Sequence, residues 1–379
     1  MSYAQGRTYY DADSHLMELS DWLVRYADPG VREKIRPLYL GAAGALAAQA
    51  VAEAEARRAD AEKTRALEQA LMKAKGWNAL GAFDPAERSS ALDLLGFEKQ
   101  LVFSTFASTQ FAGDDLELLY GGTRAHNRAM AEFCADDDRM IAVGFVPWAD
   151  PRRTVEEARE AIRLGCDAIL VPSAPPKEIS PFHPDFDPFW ATLQDERVPF
   201  MLHIGGGGRP LRRAFHNNGK PATTDFLGGG ENIRSKDYMV LHHPPETFLA
   251  IMALEGVFEK FAGLRGGCIE QGALWVVPWL KRMDIAQETF QKTEPALKLP
   301  LRASEYIRRQ VKFTPFPTEP VGWMIEQAGD ELFLFSSDYP HPEGGRDPIA
   351  RFESTLRETP EAAKELFYSG NFAEMMFMS

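Results

Sequence analysis

The chain alternates short apolar runs with longer stretches of helical periodicity over nearly its whole length. Runs such as AVGFVP, AILVP and LFLFSSD are continuously hydrophobic, which is typical of strands that are covered on both faces. Strands that alternate with helical segments indicate β-α units around a parallel sheet. The predicted strands span residues 8–13, 99–105, 140–147, 167–172, 199–204, 264–270, 310–314 and 332–338.

Consecutive β-α units of this number favour a closed (β/α)8 barrel, the TIM barrel class of α/β folds. The segment DPRRTVEEAREAIRLG shows how one connecting helix is marked. Asp150 suits the N-cap, Pro151 suits the first helical position, and Gly165 suits the end of the helix. Because such a barrel can use 379 residues as one unit, we expect a single domain over residues 1–379.

Residues 41–76 interrupt this alternation. Their sequence, GAAGALAAQAVAEAEARRADAEKTRALEQALMKAKG, is rich in alanine and charged residues and strongly favours helix. We interpret it as a helical insertion in the connection that follows the first strand. Two arrangements are open: a peripheral helix or helix pair that packs on the barrel or on another subunit, and a lid over the active site.

Composition limits the partners. The 55 acidic residues outnumber the 42 basic ones, and the net charge of −13 disfavours nucleic acid and anionic membranes. Cys134, Cys166 and Cys268 are widely spaced, which fits neither a disulfide framework nor a cysteine-rich zinc site. Because no apolar stretch is long enough to span a membrane and no signal peptide is evident, we expect a cytoplasmic protein with a small-molecule substrate. A homo-oligomer is compatible with these features.

Ionisable residues stand at the carboxyl ends of several predicted strands, where parallel barrels build their active sites. Asp11, Asp13 and His15 end the first strand at a spacing that places them on one face. His203 ends the apolar run PFMLH, and Asp338 ends LFLFSSD. Oxygen and nitrogen ligands without thiolates suit zinc, manganese, iron or another borderline divalent ion.

Two further residues have several open interpretations. Glu270 ends the sixth predicted strand, and it can be a metal ligand, a general base or a structural partner for an arginine. His242 precedes His243 and Pro244, so it is either an acid or substrate contact, or simply part of a helix entry.

Taken together, several segments resemble the amidohydrolase-related family, in the branch that contains aminocarboxymuconate-semialdehyde decarboxylase and the γ-resorcylate and 5-carboxyvanillate decarboxylases. The segments are YYDADSHLME, DLLGFEKQLVFST, HNRAMAEFCADDDRMIAVGFVPWADP, FHPDFDPFWATLQDERVPFMLHIG, GVFEKFAGLRGGCIEQGALWVVPWLKRMD and FLFSSDYPHPEG. They occur in order from about Tyr9 to the C-terminal region and spare mainly the alanine-rich insertion.

The resemblance implies a distorted (β/α)8 barrel that holds one divalent metal ion, zinc first, with manganese or another divalent ion as alternatives. The family's metal-binding positions fall on Asp13, His15, His203 and Asp338. The sequence departs from the family pattern twice. Asp13 stands where a histidine is common, and Glu270 stands where characterised decarboxylases have a histidine linked to proton transfer.

The resemblance leaves two reaction types open. In hydrolysis, Asp338 would take a proton from a metal-activated water that attacks a carbonyl. In decarboxylation, the metal would bind the substrate carboxylate and Asp338 would protonate the carbon that loses carbon dioxide, with Glu270 or His242 as helper. The substrate is expected to be a small organic molecule, a carboxylate or an aromatic compound. A non-catalytic barrel that binds a ligand or acts as a scaffold is the alternative from a different functional class.

Overall fold

The computed structural model describes residues 2–40, 43–174, 176, 179–208, 211–221 and 233–378. Within these residues, seven parallel strands pair in the order in which they occur in the chain. The strands are β1 (Tyr10–Leu16), β2 (Lys99–Ser104), β3 (Met140–Phe145), β4 (Cys166–Leu170), β5 (Phe200–His203), β6 (Gly266–Ile269) and β7 (Val311–Phe313). The predicted α/β barrel class is confirmed, and the strands lie where the apolar runs placed them.

The predicted eighth strand is present as an irregular extended segment. Residues 332–339 contact both neighbouring strands, with one isolated bridge between Phe333 and Phe313 of β7 and another between Tyr339 and Ser14 of β1. The backbone N–H of Leu334 also donates to the carbonyl of Phe313 at 2.9 Å. The segment therefore joins β7 to β1 and closes the barrel without a continuous ladder of hydrogen bonds.

Side-chain bonds from Asp11 replace part of that ladder. Its carboxylate accepts from the backbone N–H and the hydroxyl of Ser337, at 2.7 and 2.6 Å, and from Gln100 at 2.8 Å. The pairing of β1 with β2 shifts between Asp11 and Ser14, so strict alternation of side chains is lost there. Asp11 is thus buried near Asp13 but serves to hold the closing segment.

Apolar side chains fill the barrel interior beneath its carboxyl-end face. Ala12, Phe103, Met201, Ile269 and Leu334 come from separate strands and form one cluster. Phe372 and Met375 of the C-terminal helix belong to the same cluster. A larger core lies between the outer faces of the strands and the surrounding helices. The polar strand ends consequently lie above a packed apolar layer.

The connecting segments are mainly helical. The helices are α1 (Trp22–Tyr26), α2 (Pro29–Arg32), α3 (Ala43–Arg58), α4 (Ala61–Gln69), α5 (Pro85–Leu95), α6 (Leu116–Cys134), α7 (Pro151–Leu164), α8 (Asp187–Asp195), α9 (Ser235–Tyr238), α10 (His243–Leu254), α11 (Val257–Lys260), α12 (Val276–Phe290), α13 (Ala303–Gln310), α14 (Val321–Ala328), α15 (Pro348–Thr355), α16 (Glu361–Glu365) and α17 (Asn371–Met375). The predicted ends of α7 are confirmed, since Asp150 accepts from the N–H of Arg153 and Gly165 ends the helix with φ of 100°. In the part of the chain that is described, no helix has the length and apolarity to cross a bilayer.

The alanine-rich insertion forms α3 and α4, a helix pair as predicted. Arg57 and Arg58 at the end of α3 bind Glu87 of α5, and Arg58 also binds Asp84. These ion pairs attach the insertion to the first connecting helix of the barrel. After α4 the chain returns toward the strand ends, where the N–H of Gly76 donates to the carbonyl of Pro340 at 2.9 Å.

Candidate active site

A cluster of buried ionisable side chains lies where the strands end. Its members come from β1, from the ends of β5 and β6, and from the segment that closes the barrel. They are Asp13, His15, His203, Glu270, Asp338 and His341, each at most 5% exposed. Because these side chains are almost fully buried, bulk water does not reach them. Their charges must therefore be compensated by groups inside the protein.

The first part of the cluster centres on Asp13. Its Oδ1 lies 3.2 Å from Nε2 of His15 and 3.4 Å from Nε2 of His203, and the latter nitrogen lies 3.4 Å from Oε2 of Glu270. One potential ligand atom from each of these four residues lies within 4.8 Å of all the others. Metal–ligand bonds of about 2.1 Å place neighbouring ligand atoms roughly 3.0 to 3.4 Å apart, so the spacing suits a single ion.

The second part joins Asp338 and His341 to His15 and Glu270, again within 4.8 Å. Oδ1 of Asp338 lies 3.7 Å from Nε2 of His15 and 3.1 Å from Nδ1 of His341. The rings of His341 and His15 are stacked, with centroids 4.0 Å apart. Nε2 of His341 lies 3.1 Å from the hydroxyl of Thr105. His341 is therefore packed between a predicted ligand and a neighbouring loop.

The hydrogen bonds of two histidines define which ring nitrogen faces the cluster. Nδ1 of His203 lies 3.1 Å from the carbonyl of Ile204, and Nδ1 of His15 lies 3.4 Å from the carbonyl of Ser104. Because a carbonyl oxygen only accepts, each Nδ1 carries the proton. Each Nε2 then directs a lone pair toward the carboxylates, as in histidines that bind metals.

Burial and mutual charge set the protonation of the site. Burial would raise the pKa of Asp13, yet the close contacts of its carboxylate with His15 and His203 hold that pKa well below its usual range. Burial raises the pKa of Asp338 to about 7, and the charge of Asp13 adds to the increase. Burial lowers the pKa of His15 to about 4 and that of His341 to about 3. The imidazoles of His15 and His341 are consequently neutral at pH 7, and a histidine must be neutral to bind a metal.

These residues fit a divalent cation. Nε2 of His15 and both carboxylate oxygens of Asp338 are buried and make no hydrogen bond to any described residue. Asp13 and Glu270 add further carboxylates to the same small volume. Buried polar atoms in this state are costly unless a cation or a ligand satisfies them. Oxygen and imidazole donors, with no thiolate among them, are suitable for manganese, iron or zinc.

The backbone is strained where two of the carboxylates lie. Glu270 and Asp338 have positive φ angles of 54° and 50°, in the left-handed region that non-glycine residues rarely adopt. Each such residue costs of order 1–3 kcal/mol, and such strain concentrates at functional sites. Gly344 packs against this turn, since a Cβ atom there would lie 1.9 Å from the carbonyl oxygen of Ser337.

Two buried glutamates fix the loops around the cluster. One oxygen of Glu18 accepts from the backbone N–H groups of the loop after β2, those of Thr105, Phe106 and Ala107. The carboxylate of Glu319 accepts from three more N–H groups, which belong to Ala273, Leu274 and Phe316. Both residues are structural, because their hydrogen bonds go to the backbone of the loops that carry the site.

Six residues were given a possible catalytic or metal-binding role from the sequence, and the structure places five of them in the cluster: Asp13, His15, His203, Glu270 and Asp338. It places His242 in a different group with His243 and Glu246, where its ring is stacked on Trp275 at 5.6 Å. His242 directly precedes α10, in agreement with its interpretation as a helix entry.

Sequence reasoning assigned no role to two residues that the structure places at the site. His341 follows Asp338 by three positions, so its place in the same loop was the available signal. Lys75 lies at the end of the insertion, and the charge of Asp338 acts on its ammonium group. No local pattern marks Lys75, because its position depends on how the insertion returns to the barrel.

Comparison with known proteins agrees with this geometry. The family model described as amidohydrolase matches residues 10–376. The γ-resorcylate decarboxylase of Rhizobium sp. (strain MTP-10005) is 24% identical over 265 residues, which cover 67% of this chain and 76% of that enzyme.

Solved structures show the same fold. An amidohydrolase from Mycobacterium avium subsp. paratuberculosis K-10 has a TM-score of 0.73 at 20% identity, over 98% of this chain and all (100%) of that one. A dihydroxybenzoic acid decarboxylase from Polaromonas sp. JS666, crystallised with manganese and the inhibitor 2-nitroresorcinol, has a TM-score of 0.63 at 16% identity, over 98% and 97% of the two chains.

The predicted superfamily and barrel class are confirmed, and the buried cluster contains groups of side chains that could hold a metal ion. The match to the family model extends over almost the whole chain and includes every residue of the buried cluster. The chain belongs to the amidohydrolase family.

Proposed function

We propose that the protein is a metal-dependent decarboxylase of a small hydroxy-substituted aromatic carboxylic acid. The observation that carries this proposal is the carboxyl group of Asp338, which lines a pocket together with Glu270 and Phe316 and makes no hydrogen bond to a described residue. A buried acid that is directed toward a pocket is placed to exchange a proton with a bound molecule. The similarity to the γ-resorcylate decarboxylase supports the aromatic carboxylate as substrate class.

Asp13, His15 and His203 are the proposed metal ligands, with Asp338 as the fourth. Glu270 was open to three roles, and its Oε2, 3.4 Å from Nε2 of His203, favours a further metal ligand. When bound, a divalent ion would act as a Lewis acid that attracts the substrate's anionic oxygens and stabilises developing negative charge. The resemblance suggests zinc as the metal. Manganese is the alternative, because three carboxylates beside two imidazoles suit this harder ion.

The proposed reaction needs one proton and no oxidant. Asp338 in its acid form donates a proton to the ring carbon that bears the carboxylate, and a new C–H bond forms. The bond between that carbon and the carboxylate then breaks, its electron pair returns to the ring, and carbon dioxide leaves. The carboxylate of Asp338 regains a proton from solvent, which completes the cycle.

Hydrolysis is the second candidate, because the family resemblance matches Glu270 to a histidine that is linked to proton transfer in characterised decarboxylases. An additional carboxylate is compatible with a base that assists attack by water. The two reactions have different products. Carbon dioxide release distinguishes decarboxylation from the hydrolysis of an amide or a lactone.

The test uses manganese-loaded protein with 2,6-dihydroxybenzoate, other hydroxybenzoates, and a matched panel of aromatic amides and lactones. We expect carbon dioxide from at least one hydroxybenzoate, and a loss of at least about 100-fold in Asp338→Asn. Asp195→Asn, a change at an exposed aspartate, is the matched control and should retain activity. Hydrolysis of an amide or lactone without any carbon dioxide from the acids would contradict the proposal.

A further inference from the structure

Lys75, at the end of the insertion, interacts electrostatically with Asp338 and Glu343, two carboxylates of the pocket. It follows α4, and the next residue, Gly76, is attached to the closing loop by the hydrogen bond from its N–H to Pro340. Trp77 extends this attachment, because its indole N–H donates to the carbonyl of Glu18 at 3.2 Å and its ring stacks on Phe106 at 5.5 Å. Lys75 is thus held by ordered neighbours that belong to the site.

The ammonium group of Lys75 is buried and makes no hydrogen bond to a residue that the structure describes. Burial lowers the pKa of Lys75 to about 8, while the charges of Asp338 and Glu343 raise it and that of Arg346 lowers it further. A buried ammonium with three donors and no acceptor is costly, and an oxygen atom of a ligand would remove that cost.

The carboxylates that attract Lys75 line the pocket of the proposed reaction. Asp338 and Glu343 both face this pocket, and both oxygens of Glu343 are buried without a hydrogen bond to a described residue. With Asp13 and Glu270 in the same lining, the pocket has a surplus of carboxylates for a site that must accept an anion. A second positive charge beside the metal would offset this repulsion.

We propose that Lys75 binds an anionic oxygen of the substrate and selects carboxylates over neutral analogues. This inference rests on the proposed function for the substrate class. It assigns the insertion a direct part in substrate binding, in addition to its packing on the barrel. A charge-assisted hydrogen bond in a buried site corresponds to roughly 10- to 100-fold in affinity.

The test measures how Lys75 affects the preference for charge. Benzoate and benzamide are nearly isosteric, and neither has the ring hydroxyl that the proposed decarboxylation requires, so that reaction does not consume them during the measurement. Calorimetry on manganese-loaded protein gives the ratio of the two Kd values. We expect wild type to prefer benzoate, Lys75→Met to lose at least about tenfold of that preference, and Lys75→Arg to retain most of it.

Lys73→Met, at an exposed lysine of the same segment, is the matched control and should leave the ratio unchanged. Lys75→Gln provides a second neutral variant if Lys75→Met does not fold. An unchanged ratio, an equal loss for both ligands, or a wild type without preference for benzoate would overturn the proposal. Because carbon dioxide release is measured separately on hydroxybenzoates, failure of the proposed reaction would not be mistaken for failure of this inference.

Discussion

The backbone N–H of Asp338 donates to the carbonyl oxygen of Asp13 at 2.9 Å. This bond joins a residue of the first strand to one of the segment that closes the barrel, and both residues are proposed metal ligands. The N–H of His15 makes a second such bond to the carbonyl of Tyr339 at 2.7 Å. The ligands can therefore meet only when the barrel is closed, so metal binding and barrel closure should be coupled.

The coupling predicts that a divalent ion stabilises the fold. Free metal at about 100 times its Kd adds about 2.7 kcal/mol to the free energy of unfolding, which corresponds to a few degrees in Tm. We expect chelation to lower Tm by this amount and manganese to restore it. Asp13→Ala and His203→Ala should show no response to metal, whereas a response equal to that of wild type in both variants would exclude these ligands.

His341 should act by positioning His15 and Asp338. In His341→Phe the stack on His15 is preserved in shape, but the imidazole nitrogen 3.1 Å from Asp338 is lost. Substitution of a residue that orients metal ligands typically weakens metal affinity by about 10- to 100-fold. We expect a weakening of that size in a manganese titration, with His183→Phe, at an exposed site, unaffected. Wild-type affinity in His341→Phe would show that the contact with Asp338 is unimportant.

The buried carboxyl group of Glu18 should make a contribution to the stability of the fold that depends on pH. Burial raises the pKa of Glu18 to about 7, although hydrogen bonds from the loop after β2 lower it. Between the usual glutamate pKa of about 4.3 and this value, the folded state binds more protons than the unfolded state. The stabilisation of the fold by protonated Glu18 is therefore present at low pH and is lost as the pH rises through about 7.

Glu18→Gln keeps an oxygen for the three backbone N–H groups and lacks the titration. The difference in Tm between variant and wild type should therefore be more positive at about pH 8 than at about pH 5. Thermal unfolding at both pH values tests this expectation. A difference that is constant with pH would mean that Glu18 has an ordinary pKa in the folded protein.

Glu319 should contribute strongly to stability without touching substrate. Replacement by alanine leaves the N–H groups of Ala273, Leu274 and Phe316 without their acceptor, at a cost of about 1–3 kcal/mol for each group that stays buried. We expect the free energy of unfolding of Glu319→Ala to fall by about 3 kcal/mol in urea denaturation. Glu326→Ala, at an exposed position of α14, is the control. Equal stability of the two variants would contradict the structural role.

The strand ends could be predicted from the sequence because apolar runs mark parallel strands and polar residues at their carboxyl ends stand out. Asp13, His15, His203 and Asp338 were found in this way. The structure groups the first three with Glu270, and it places Asp338 in an adjoining group that shares His15 and Glu270. The irregular closing segment was not foreseen, since it depends on hydrogen bonds that Ser337 donates to the carboxylate of Asp11.

The role of Lys75 could not be predicted either. A lysine in a charged helical insertion has the composition of a solvated surface, and only the return of the chain beside Pro340 brings it to the site. His242 is the opposite case. A pair of histidines near a strand suggests a catalytic or binding role, but the structure places His242 directly before α10.

The position of the metal tests the central claim most directly. Crystals of manganese-loaded protein, measured at the manganese absorption edge, give an anomalous difference map that locates the ion. We predict one peak within bonding distance of Asp13, His15 and His203. A map without a peak at these residues, or with its peak at the group of His242, His243 and Glu246, would contradict the account.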